Sequence, residues 1–174
     1  YPKAGQDNSS QGFRDNFSEI KTNFTTTATE ITDLQTNKAN LNASSDFSNN
    51  EVLRAKLKNN SETIYAHGSV SSGSVTLNHG NGHYQTLTIT ADTTFAFTNF
   101  PTGALGRIIL DITVAPTSTG ILTFPSAVIK ADNVTGSDGT SDQITIGLGR
   151  ALFEFMSPDA GVTVLMHQIG KQYV

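Results

Sequence analysis

The sequence contains no cysteine and no tryptophan, and only 15% of its 174 residues are charged. Without cysteine there is no disulfide framework and no thiolate metal site, and the redox compartment is left open. Without tryptophan the commonest platform for stacking on a sugar ring is missing, which leaves Tyr65, Tyr84 and loop Asn and Asp side chains for such a role. Apolar runs are short: none approaches the roughly 20 residues that span a bilayer, and no basic segment followed by an apolar one has the form of a signal peptide. Membrane insertion is therefore not expected. The net charge is −4 and no run of Lys or Arg forms a face, so nucleic acid held through its phosphates is not an expected partner either. The chain opens at Tyr1 rather than Met, and further residues are expected upstream. What is present, 36% hydrophobic residues among abundant Thr, Ser and Asn, suits one folded domain with an appendage.

Hydrophobic spacing divides the chain near residue 65. Phe13, Phe17, Ile20, Phe24, Thr27, Ile31, Leu34, Lys38 and Leu41 follow one another at alternating steps of four and three. That is a heptad series, with Phe17, Phe24, Ile31 and Lys38 at a and Phe13, Ile20, Thr27, Leu34 and Leu41 at d. Asp7, Ser9 and Ser10 suit the N-cap, and Asn42 to Ser45 suits the stop. The e and g positions, among them Arg14, Asn16, Lys21, Asn23, Glu30 and Gln35, are almost all polar. The apolar stripe is therefore a narrow seam, narrower than the face a helix uses to pack on its own domain. Thr-rich "TNFTTTATEIT" has low helix propensity, so the helix is expected to depend on partner copies. Bulky Phe at a with Ile at d favours three strands over two. The expected oligomer interface is Phe13, Phe17, Ile20, Phe24, Ile31, Leu34 and Leu41.

After Asn49-Asn50, Leu53, Ala55 and Leu57 alternate with Arg54, Lys56 and Lys58, which predicts a short strand with one apolar edge. From residue 66 the pattern is β. Strands are expected at Ala66 to Val70, Ser74 to Leu77, Tyr84 to Thr90, Thr94 to Asn99, Arg107 to Val114, Gly120 to Phe124, Ala127 to Lys130, Gln143 to Leu148, Ala151 to Met156 and Val162 to Ile169. They are rich in Thr, Val, Ile and Phe and are separated by turn signals such as "NHGNG" and "TGSDGTSD". The fold expected is mainly β with an N-terminal helix: a trimeric coiled-coil stalk followed by an antiparallel, jelly-roll-like β-sandwich. Ile109, Leu152 and Met156 fall on the face opposite to the main apolar one. Such two-sided strands predict that one sheet meets both its own core and a neighbouring subunit.

Chemistry-bearing residues are sparse. His79 and His83 flank a Gly-Asn-Gly turn, with His67 and His167 elsewhere; two histidines supply half of a zinc site, and the glycines account for the turn. Asp132, Asp138 and Asp142 lie in an acidic loop that departs from the calcium-loop pattern and reads as a solvated turn. There is no G-x-S-x-G elbow and no H-E-x-x-H. Asp92, Asp111, Asp132 and Glu154 are the carboxylates that could pair for glycoside hydrolysis, and nothing in their spacing selects two of them. Glu154, between Phe153 and Phe155, reads as an outward or interface-paired residue. The N-x-[ST] triplets at Asn8, Asn23, Asn42, Asn59 and Asn133 are what an Asn-, Ser- and Thr-rich chain produces by chance. No catalytic, cofactor or metal site is expected.

The opening "YPKAGQDNSSQGFRDNFSEIKTNFTTTATEITDLQ" resembles the N-terminal segment of fiber-like virion structural proteins of tailed phages, especially those infecting marine cyanobacteria. "DFSNNEVLRAKLKN" and "GSVTLNHGNGHYQTLTITADTTFAFTNFPTG" are similar to the shaft-to-head passage and β-rich distal domain of such fibers. The resemblance implies a non-enzymatic homotrimer on the particle exterior. In it, residues 1–12 would form a docking peptide to another virion protein, with Tyr1, Pro2, Lys3 and Gln6 as its contacts. Residues 13–44 would form the stalk, 45–65 a short neck, and 66–174 the head, with a host-surface glycan as a ligand. The competing reading is an extracellular carbohydrate-binding or polysaccharide-degrading β-sandwich, a common scaffold for sugars.

Overall fold

A computed structural model describes residues 10–37, 45, 47, 51–71 and 73–170. The chain divides into two compact units, Tyr1–Lys56 and Leu57–Val174.

In the first unit, helix α1 spans Gln11–Asn37, 27 residues, or about 40 Å at 1.5 Å per residue. Residues 38–44, the remainder of the expected stalk, lie outside the described residues. Ser10 stands at the N-cap position and its carbonyl accepts the Arg14 N–H at 3.1 Å. The Thr-rich stretch satisfies most of its hydroxyls on the helix backbone. Thr22, Thr25, Thr29, Thr32 and Thr36 each donate their hydroxyl to the carbonyl four residues back, at 2.8–3.0 Å. In the heptad frame these five occupy b and f, opposite the seam, so their polar groups are satisfied on the helix's own backbone.

The strand expected over Leu53, Ala55 and Leu57 is not formed. Leu53 and Arg54 make a turn, and Arg54 and Asn59 take φ of 56° and 59°. A left-handed residue breaks the period-two alternation on which that expectation rested.

Among the described residues of the second unit the regular structure is β apart from a 3-10 turn at His79–Asn81. Its strands are β1 (Ile64–Val70), β2 (Ser74–Asn78), β3 (Tyr84–Ile89), β4 (Thr93–Thr98), β5 (Gly106–Val114), β6 (Ile121–Thr123), β7 (Val128–Lys130), β8 (Gln143–Thr145), β9 (Gly149–Ser157) and β10 (Val164–Gln168). All ten expected strands are present. Their pairing differs from the expectation of an antiparallel, jelly-roll-like sandwich. The six-stranded sheet has the order β1-β3-β5-β9-β10-β7 and the four-stranded sheet β2-β4-β6-β8. Both sheets are mixed: β1–β3, β3–β5, β2–β4, β4–β6 and β7–β10 are parallel, and β5–β9, β9–β10 and β6–β8 antiparallel.

The reason is in the connections. The first six strands alternate between the two sheets, and each of β1 to β4 meets its neighbour one coil later and in the same direction. Ile64 pairs with Tyr84 and Tyr84 with Ile109, while Ser74 pairs with Thr94 in the other sheet. Alternating hydrophobicity tells which face of a strand is buried; it does not tell which strand lies beside it.

The two inner faces share one core. Leu77, Phe95, Leu122 and Ile144 come from the smaller sheet, and Ile89, Leu110, Ile112, Phe153 and Phe155 from the larger. Phe97 and Phe155 meet across the sheets with ring centres 4.9 Å apart, and Phe124 packs on both Phe95 and Phe155. Among the buried polar side chains is Gln85, fully covered on β3. Its amide donates to the carbonyls of Asn78 and Gly82, and its oxygen pairs with His67 Nε2 at 2.9 Å. It thereby satisfies the turn between β2 and β3 and ties it to β1.

Candidate functional site

The polar cluster with the most definite geometry lies on the outer face of the six-stranded sheet. Strand parity puts Ile108, Leu110, Ile112 and Val114 of β5 into the core, which turns Asp111 outward between them. Asp111 is nevertheless only 4% exposed. A carboxylate so covered must be paired, and Arg150 at the start of β9 pairs it. Arg150 Nε donates to Oδ1 at 2.5 Å and Nη2 to Oδ2, a two-pronged contact that suits the guanidinium fork. Tyr84, on β3, donates its hydroxyl to Oδ2 at 2.8 Å. The Arg150 hydrogen bonds hold the Asp111 carboxyl below its ordinary pKa, against the opposing effect of burial. Burial, then the hydrogen bond to Asp111, pushes the Tyr84 phenol up, and Asp111 raises Arg150 further.

Two depressions flank this trio. One, of about 310 Å³, has a floor of Ala66, Gly68, Thr86, Thr88 and Thr113; the other, of about 350 Å³, is bounded by Glu62, Ile64 and Tyr84. The chemistry available is hydrogen bonding. Asp111 is held ionised and has no proton to donate at neutral pH, and a Tyr84 phenol with a raised pKa is a poor nucleophile. A wall of Thr hydroxyls around a charge-neutral pair can hold a hydroxylated ligand.

The other expected residues distribute as follows. Glu154 lies on the same outer face, opposite Ile109 on β5 and His167 on β10, and pairs with Arg107 at 3.6 Å. Asp92 accepts a hydrogen bond from Thr119 across the loops that follow β3 and β5. The four histidines do not converge. His79 and His83 have ring centres 5.3 Å apart, with His79 also against Phe100; His67 is bonded to Gln85. Burial, and then His83, lowers the His79 pKa. Among the described residues no group of three or more His, Cys, Asp or Glu is placed to hold a metal ion. Asp138, in the acidic loop, accepts the backbone N–H groups of Thr140 and Ser141 at 3.0 and 2.7 Å, and these bonds lower its pKa; it closes its own turn.

Of the expected interface residues, Phe13, Phe17, Ile20, Phe24, Ile31 and Leu34 are all exposed on α1 in the single chain, Phe17 at 67% and Phe24 at 73%. Leu41 and the expected docking residues Tyr1, Pro2, Lys3 and Gln6 lie outside the described residues. Sequence reasoning missed Arg150 and the role of Asp111. The signal was present: a carboxylate between Leu110 and Ile112 in an apolar strand requires a cation, though nothing in "GLGR" identifies which.

Comparison with known protein-family models, with curated proteins and with solved structures finds no match to this chain.

Proposed function

We propose that this chain is a non-enzymatic structural fiber or decoration protein of a phage virion. It assembles as a homotrimer through α1, docks by residues 1–12 on another virion protein, and displays the β unit outward to contact the host surface. The observation that carries this reading is the seam of α1. Six large apolar side chains recur at heptad spacing and are exposed in the single chain, while the hydroxyls of the b and f positions are bonded to the helix backbone. A helix with that pattern has one face suited to copies of itself and another suited to water. Weak contacts of the displayed units gain strength from being multiplied on one stalk and on one particle. Light scattering on the full chain should give three times 18.5 kDa; a stable monomer with its full helix content overturns the reading.

The hydroxyl-lined depressions beside Tyr84, Asp111 and Arg150 favour a second reading, a carbohydrate-binding or polysaccharide-degrading domain. A glycan array and a reducing-sugar release assay separate the two. Hydrolysis would replace the structural reading, whereas binding without hydrolysis fits a host-surface ligand of the fiber.

A further inference from the structure

Residues 51–63 carry the chain from the first unit into the second, and all of them are exposed. They lie outside every helix and strand, turning at Leu53–Arg54 before β1 begins at Ile64. The core of the second unit does not draw on them: its buried apolar residues run from Val75 to Met166.

The cations of the chain are distributed unevenly with respect to this segment. Eight lysines and arginines are among the described residues. Arg14 and Lys21 lie on α1, and Arg107, Lys130 and Arg150 on β5, β7 and β9. The other three, Arg54, Lys56 and Lys58, fall within five consecutive residues here. A protease works on locally opened chain, so a site inside a helix or strand must first unfold, and nicking concentrates where exposed chain needs no such opening. Side-chain chemistry then decides which protease gains selectivity. An enzyme that reads apolar or acidic residues finds them also in loops of the β unit, at Leu105 and Val162 or at Asp132 and Asp138. An enzyme that reads a cation finds its residues outside regular structure, among the described residues, in this segment alone.

We infer that Arg54, Lys56 and Lys58 form a processing site, at which a protease with a carboxylate in its specificity pocket releases the β unit intact. The step is hydrolysis of the peptide bond after one of them. Water supplies the oxygen that leaves the basic residue with a C-terminal carboxylate, and a proton to the nitrogen of Ala55, Leu57 or Asn59, which becomes the new N-terminus. This goes beyond the proposed assembly through α1 and does not depend on it.

Trypsin, whose specificity pocket holds an aspartate, is the probe. The full chain is digested under native conditions at a low enzyme ratio, with fragments identified by mass spectrometry. Cleavage after Arg54, Lys56 or Lys58 should be at least about tenfold faster than after Arg107, Lys130 or Arg150, the factor given by about 1.4 kcal/mol of opening free energy. The released fragment should keep the β circular-dichroism signal and a cooperative melt. Equal rates at the two sets of sites overturn the assignment, and so does a fragment that has lost its β signal, because the cut would then destroy the unit rather than release it. In R54Q/K56Q/K58Q, release of the β unit should slow by at least the same factor; release at the parent's rate places the cut elsewhere and overturns the role of these three residues.

Discussion

Replacing Phe17 and Phe24 by alanine removes two of the largest side chains from the α1 seam without adding charge or breaking the helix. Both are mostly exposed in the single chain, so most of their surface is left to bury on association. Full burial of a phenylalanine contributes about 1.5–3 kcal/mol. In the proposed trimer, two per chain over three chains gives six side chains, so the loss is about 9 kcal/mol of trimer at the low end of that range. A trimer constant scales with the square of the free-chain concentration, so the midpoint of dissociation moves up by roughly a thousandfold. The helix should melt with it, because a Thr-rich segment of this length is marginal alone. Light scattering across a dilution series, read beside circular dichroism at 222 nm, should give loss of mass and of helix signal at the same concentration. If mass and helix signal stayed as in the parent, Phe17 and Phe24 would not be seam residues. A monomeric variant that kept its helix would sever the link between assembly and helix formation.

Four further outcomes follow from the β unit. Arg150→Met should lower the melting temperature by stranding the covered Asp111 carboxylate, and the double variant with Asp111→Leu should recover much of the loss, since an apolar pair often replaces a buried ion pair at little cost. Asp111 has a lowered folded pKa, so its contribution is present above the ordinary carboxylate value and lost as pH falls through the folded one; melting temperatures below about pH 4 should be less pH-dependent in Asp111→Asn. His79 also has a lowered folded pKa, so its neutral form is favoured by folding and stability should decline as pH falls from about 6.5; His79→Gln should flatten that part of the profile. Gly120→Ala should destabilise by about 2 kcal/mol or more in urea titrations, because Gly120 has φ of +74° and an added Cβ would lie 2.0 Å from the Ile146 carbonyl oxygen.

The strands were legible because each carries the period-two signature of a half-buried surface, and "RIILDITV" and "ALFEFM" even disclose their second apolar face through Ile109, Leu152 and Met156. Pairing direction was not, because it depends on whether a loop returns beside its own strand or crosses to the other sheet. "SSG" after β1 permits both. In "YQTLTI" period two places Gln85 inward with Leu87 and Ile89, where its amide donates to two carbonyls; local pattern does not reveal the buried acceptors it meets. At the candidate site, Asp111 announced a need for a partner, but its partner comes from 39 residues away, a distance no motif spans. The neck strand failed for the converse reason: the alternation around Leu53 was real, and a left-handed Arg54 broke it.

The place of β9 has a consequence for how the protein is made. It is the ninth strand in chain order but the fourth of six across its sheet, between β5 and β10. Phe153 and Phe155, which fill the core between the sheets, both belong to it. Synthesis from the N-terminus therefore delivers α1 early, while the middle of the larger sheet stays open until residues 149–157 arrive. A chain cut short before that point would carry α1 without a closable core, and in the trimer proposed above copies bearing it would compete with complete ones for places.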